Sequence, residues 1–199
     1  MSDTLLVARR YLSERYTIKR FVPLALIVAG AGVLASPITA TAIEDARGAL
    51  LAYLLVLVFR IWDDLEDRDI DARRHPERIT VRIASRAPLA ALAVQAAAPA
   101  LIILISGPQP VQRSVALVIL TAALFAWYRA RGSSSIANAL VVLAKYPVIA
   151  CVAAPASLWE QRDLSHAAPA LLTLYLLLCI HEALDDPILR RSLGRGFPT

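Results

Sequence analysis

Six apolar stretches run through this chain, at residues 21–43, 46–62, 88–106, 111–128, 137–158 and 167–184, each 17 to 23 residues long. A helix of that length crosses a hydrocarbon layer of ~30 Å. In lipid every backbone polar group must find its partner inside the protein, so such runs are helices rather than open strands. Composition agrees, because 58% hydrophobic residues in 199 is too apolar for a soluble domain of this size. The expected fold is an all-α integral membrane protein, a bundle of about six transmembrane helices.

Short loops rich in arginine and lysine stay in the cytoplasm, which fixes an expected orientation. Arg9, Arg10, Arg15, Lys19 and Arg20 precede the first run, and Arg68, Arg73, Arg74, Arg78, Arg82 and Arg86 lie between the second and third. Arg129 and Arg131 separate the fourth from the fifth, and Arg190, Arg191 and Arg195 follow the sixth, whereas the opposite loops hold Arg47, Arg113 and Arg162. Both termini are therefore expected in the cytoplasm of a multi-pass protein of the cell membrane. The abundance of arginine and alanine beside scarce lysine points to a bacterial inner membrane.

Residues 1–20 read as a cytoplasmic amphipathic segment, 21–187 as the transmembrane domain and 188–199 as a basic tail. The run 21–34 followed by Ala40-Thr41-Ala42 has the pattern of a signal-peptide core with a small-residue cleavage site. Against that, Leu5, Leu6, Leu12, Tyr16 and Ile18 among basic residues fit a helix lying on the membrane surface. The net charge of +5 follows from loops at the membrane edge and contact with anionic lipid, not from nucleic-acid binding. Cys151 and Cys179 fall inside apolar runs and imply neither a disulfide nor a metal site.

Directly after the second run comes Asp63-Asp64-Leu65-Glu66-Asp67-Arg68-Asp69-Ile70-Asp71. If the helix continues past the membrane edge, Asp64, Asp67 and Asp71 share one face, with Asp63 beside Asp67. Such a stripe of like charge repels itself, and hard divalent cations relieve the repulsion. Magnesium is the natural candidate and is usually held by carboxylates together with substrate phosphates, so a phosphorylated ligand is expected. Arg73, Arg74 and Arg78 follow in sequence, and guanidinium groups suit phosphate oxygens. The plainer alternative is a solvated cap whose acids pair with neighbouring arginines.

A second carboxylate group, Glu182, Asp185 and Asp186, ends the sixth run before Pro187, and the topology brings it to the same side. Two carboxylate clusters on one side of a bundle are suited to clamping a diphosphate through magnesium ions.

These residues resemble the UbiA superfamily of intramembrane prenyltransferases. Its first motif, Asn/Asp-Asp-x-x-Asp-x-x-x-Asp, is matched by Asp63, Asp64, Asp67 and Asp71. The His75-Pro76-Glu77-Arg78 loop is also similar to the family. The family's second motif is a spaced pair of aspartates at the end of the sixth helix. Here Glu182, Asp185 and Asp186 fit the position but depart in spacing. Tyr128-Arg129-Ala130-Arg131 is similar to the family's Tyr-x-x-Lys/Arg element. Relatives typically have nine helices.

The resemblance implies magnesium-dependent transfer of an isoprenoid chain from a prenyl diphosphate to an acceptor, often aromatic. It implies Asp64, Asp67 and Asp71 as the catalytic residues, joined as metal ligands by Asp63, Glu182, Asp185 and Asp186. Arg74, Arg78, Arg131 and Lys145 are the expected diphosphate contacts. Lys145 has an alternative, snorkelling to the cytoplasmic edge, and Arg60 one turn before Asp63 and Asp64 is an ion pair or a substrate contact. Trp62, Trp127, Tyr128 and Trp159 read as interfacial anchors. A reduced homologue that binds lipid diphosphate without catalysis, or serves as a partner subunit in a homo- or hetero-oligomer, is the non-enzymatic alternative.

Asp63-Asp64-Leu65-Glu66-Asp67 also matches the DDxxD signature of soluble isoprenyl diphosphate synthases, whose architecture the six apolar runs exclude. CDP-alcohol phosphotransferases are disfavoured because Arg68 stands where their motif needs glycine.

Overall fold

The computed structural model describes residues 3–37, 40–131, 135–160 and 165–185, with the side chains of 135–137 and 185 left out. The chain is helical, and no strand occurs among the described residues. The helices are α1 (Asp3–Glu14), α2 (Ile18–Leu34), α3 (Ala42–Glu66), α4 (Arg68–Arg74), α5 (Ile79–Arg82), α6 (Ala87–Ile105), α7 (Pro110–Ala130), α8 (Ser135–Leu143), α9 (Lys145–Ala153), α10 (Ala156–Glu160) and α11 (Ala167–Asp185).

Three of these, α6, α7 and α11, are long and apolar enough to cross a membrane, and a fourth span results if α1 and α2 count as one broken unit bent by 73°. The other three apolar runs of the sequence are realised differently. Helix α3 has 25 residues but carries Arg47 and Arg60 along its length and Asp63, Asp64 and Glu66 near its end. The fifth run, 137–158, is divided among α8, α9 and α10, with the first break at Ala144. The first run begins earlier than its pattern suggests, at Ile18, and its helix stops at Leu34.

Local chemistry explains the helix ends. Thr41 caps α3 through a reciprocal box in which its hydroxyl accepts from the Glu44 N–H and the Glu44 carboxylate accepts from the Thr41 N–H. Pro110 opens α7, where the first amide would lack a helical partner anyway. At the far ends of α6 and α9 the free carbonyls are met by arginines. Arg47 donates to the Ile103 carbonyl at 2.5 Å, and buried Arg113 donates to the Ala154 carbonyl at 2.6 Å.

Helix α9 is the inner strut, packed against α2, α3, α7 and α11. Its Ile149, Ala150 and Val152 are wholly buried. Close approach depends on small residues, as helix packing in lipid favours. A β-carbon at Gly32 would lie 2.5 Å from the Ala150 carbonyl oxygen, and one at Gly48 would overlap that of Ala153. The outer faces are apolar instead. Val111, Val115 and Val118 of α7 and Leu172, Leu176 and Ile180 of α11 form exposed stripes at helical spacing, the pattern of surfaces facing lipid.

At the N-terminus Asp3–Glu14 forms α1, with Leu5 and Leu6 exposed. Tyr16, expected among the apolar residues of a helix on the membrane surface, lies past the end of α1 and is buried in the bundle. Its ring stacks on Phe21 at 4.2 Å and its hydroxyl donates to the Tyr53 carbonyl, which pins the bend between α1 and α2.

Candidate functional site: a carboxylate quartet held by cations

Helix α3 does not run unbroken through the acidic block. It ends at Glu66, Asp67 serves as both its C-cap and the N-cap of α4, and α4 stops at His75 ahead of Pro76. Asp71 is still carried inward on α4, so Asp63, Asp64 and Asp71 are all buried while Asp67 is half-buried. Buried carboxylates need compensation, and each has received a different cation.

Asp63 accepts from the Lys145 ammonium on one oxygen and from the Tyr128 hydroxyl on the other. Lys145 is only 2% exposed and turned to Asp63, which excludes the snorkelling alternative. Asp64 is the most crowded. Arg15 spans both of its oxygens, Nη2 to Oδ1 at 2.7 Å and Nε to Oδ2 at 3.3 Å. Tyr11 donates to Oδ2 at 2.8 Å, and Arg60 lies 3.2 Å from Oδ1. Arg60 is thereby an ion-pair partner of the motif.

Asp67 pairs with Arg131 at 2.7 Å, and Arg131 also donates to the Glu66 carbonyl at 3.1 Å. Burial pushes the Asp67 carboxyl above its ordinary range; Arg131 opposes that shift, and the nearby Asp63 and Asp71 add to it. Asp71 accepts from Arg78 at 2.5 Å on Oδ1, while its Oδ2 is buried without a hydrogen-bond partner among the described residues.

Of the expected diphosphate contacts, Arg78, Arg131 and Lys145 are brought to the quartet and Arg74 is exposed at the end of α4. The second cluster is less completely described. Glu182 is exposed on α11 and within electrostatic reach of Tyr146, beside Lys145. The Asp185 side chain and all of Asp186 lie outside the described residues, as do Arg162 and the basic tail 188–199.

Sequence reasoning missed Tyr11 and Arg15. Their signal was available, since i and i+4 share one helical face, but nothing local tells that face what it will meet. Tyr128 was expected to be an interfacial anchor. It is buried, with its hydroxyl on Asp63 and the Arg131 guanidinium 4.8 Å above its ring.

The donor set bears directly on magnesium. Among the described residues no three carboxylate, histidine or cysteine side chains converge as a metal site. The quartet's carboxylates diverge, each toward its own cation, so as arranged they do not fit a shared magnesium ion. An open apolar groove of about 420 Å³ lies next to the quartet, between α7 and the α8–α9 pair. Ile119, Leu120, Leu124, Val141 and Val148 line it, and Lys145 stands at its wall. That volume is within the roughly 300–1,000 Å³ usual for small-molecule sites. No family model matches the chain, and no curated protein and no solved structure matches it either.

Proposed function

We propose that the chain binds a prenyl diphosphate at one end of its helical bundle and transfers the isoprenoid chain to an acceptor, often aromatic, within the membrane. The observation that carries this reading is the spacing of Asp63, Asp64, Asp67 and Asp71 together with the basic side chains gathered on them beside an apolar groove. In this reading the bundle crosses the membrane about six times, through α1–α2, α3, α6, α7, α8–α9 and α11. Both termini and the site face the cytoplasm of a bacterial inner membrane.

Arg78, Arg131 and Lys145 bind the diphosphate oxygens and stabilise charge as the allylic carbon–oxygen bond breaks. The groove takes the isoprenoid tail and keeps water from the resulting cation. The acceptor then attacks that cation and loses a proton. The UbiA resemblance implies magnesium, which would add positive charge at the leaving diphosphate; the quartet carboxylates, each turned to its own protein cation, do not hold it as arranged. Glu182, Asp185 and Asp186 are the proposed second carboxylate group.

A second reading, diphosphate binding without catalysis in a reduced homologue or partner subunit, is favoured by one observation. Every quartet carboxylate already has a cationic partner from the protein. A prenyl-transfer assay separates the two, using purified protein in nanodiscs, magnesium, diphosphates of several chain lengths and a panel of aromatic acceptors. Product formation that is lost in Asp64→Ala and Asp67→Ala is expected. Diphosphate binding without product selects the second reading, and failure to bind either magnesium or diphosphate overturns both.

A further inference from the structure

We infer that Arg47 and Arg113, at the end of the bundle away from the quartet, form a site for the phosphate of an anionic membrane lipid. This goes beyond the diphosphate reading and does not depend on it.

Arg113, the fourth residue of α7, is 5% exposed. Its Nη2 donates to the Ala154 carbonyl at 2.6 Å, whereas its Nε is buried with no hydrogen-bond partner among the described residues. No carboxylate of the described residues forms an ion pair with it. A buried charge is costly without a counter-ion, and the carbonyl end of a helix supplies only about half a unit of negative charge. Arg113 is thus a guanidinium in want of an anion.

Arg47 of α3 lines the same cleft of about 10 Å³, with Glu44, Pro108 and Pro155 around it. Its Nη2 donates to the Ile103 carbonyl and, at 2.9 Å, to the Ser106 hydroxyl, and it too has no ion-pair partner among the described residues. Glu44 is the one carboxylate of the described lining, and its Oε2 is turned to the Thr41 N–H and hydroxyl. Two guanidiniums against one carboxylate leave a positive surplus. The cleft has room for about one water-sized group, so a single phosphate oxygen enters while the rest of the headgroup stays at its mouth. Guanidinium groups suit that oxygen better than an ammonium does.

Position selects a lipid as the source of the phosphate. Helices α6 and α7 are each long and apolar enough to cross a membrane, so their junction, where Ser106 and Pro108 meet the two arginines, lies at a membrane edge. Asp63 follows Arg47 by 16 residues along α3, a rise of about 24 Å, which puts the quartet near the opposite edge. Ile43 and Leu50, one turn to either side of Arg47 on its face of α3, are exposed and apolar, a surface for the acyl chains of a lipid whose phosphate is held between the arginines.

Native mass spectrometry of the full chain in neutral detergent tests the site, with phosphatidylglycerol, phosphatidylcholine or inorganic phosphate as the ligand. Wild type is expected to bind its first phosphatidylglycerol at least about tenfold more tightly than either of the others, and Arg47→Gln and Arg113→Gln each weaken that binding about tenfold. Arg9→Gln, which removes an exposed arginine of α1, controls for general attraction to basic surface and stays within about twofold of wild type.

Phosphatidylglycerol affinity within about twofold of wild type in either Arg47→Gln or Arg113→Gln overturns the site, as does an equal loss in Arg9→Gln. Phosphatidylcholine bound as tightly as phosphatidylglycerol overturns the need for an anionic headgroup, and inorganic phosphate bound as tightly overturns the lipid as its source. Arg47 is half-buried at the rim, so Arg47→Gln decides the matter even if Arg113→Gln misfolds. Prenyl transfer is assayed at the other end of the bundle and stands or falls separately.

Discussion

Lys145→Met is the sharpest probe of the buried pair beneath the site. The ammonium is 2% exposed and bonded to an Asp63 side chain that is itself 10% exposed. Methionine keeps the length and packing of the stem but removes the charge, leaving Asp63 buried with the Tyr128 hydroxyl as its remaining hydrogen-bond partner among the described residues. Stranding one member of a buried ion pair costs about 3–5 kcal/mol. At roughly 2–4 °C per kcal/mol for a chain of this length, Tm should fall by about 6–20 °C. Thermal loss of helical circular dichroism in nanodiscs reads the effect. The double variant Asp63→Asn with Lys145→Met removes both charges and should recover more than half of the deficit, giving a coupling that separate sites do not show. A drop of less than about 2 °C in the single variant, or a double variant worse than the sum of its parts, refutes the claim that this pair carries uncompensated charge when broken.

Other outcomes follow from the packing and from the titration of Asp67. Gly32→Ala and Gly48→Ala drive a methyl into the α9 backbone and should each cost about 1–3 kcal/mol, whereas Gly30→Ala, with open space around it, should not lower Tm. Asp67, raised above its ordinary 3.8 chiefly by burial, holds its proton more readily in the folded state than in the unfolded one. Wild type should therefore gain stability relative to Asp67→Asn as pH falls from neutral through the raised value. The gain is complete below the ordinary one. Unfolding curves that stay parallel across that window refute the shift.

Much of the helix layout was legible because one property, apolar length, is both local and decisive in lipid. Residues 88–106, 111–128 and 167–184 became α6, α7 and α11 with ends displaced by a residue or two. The interruptions at Asp67 and Ala144 were not legible, since both lie in sequence whose helical pattern continues across them. The site divides the same way. Spacing within 63–71 named the four carboxylates, but their partners come from Arg15, Arg131 and Lys145, which are distant in sequence. Short-range periodicity has no access to pairings of that range. Arg60, four residues before Asp64, is the exception and was readable as an ion pair.

Helix α9 is wedged against α2 and α3 with no room for even one added methyl at Gly32 or Gly48, and Lys145 is its first residue. The ammonium is thus mounted on a closely packed helix, while Arg15 sits at a corner where two helices meet at 73°. Both charges are held from outside the acidic block, one by the close packing of α9 and the other at a corner fixed by the Tyr16 ring on Phe21, so the carboxylates of α3 are set from two distant parts of the chain at once.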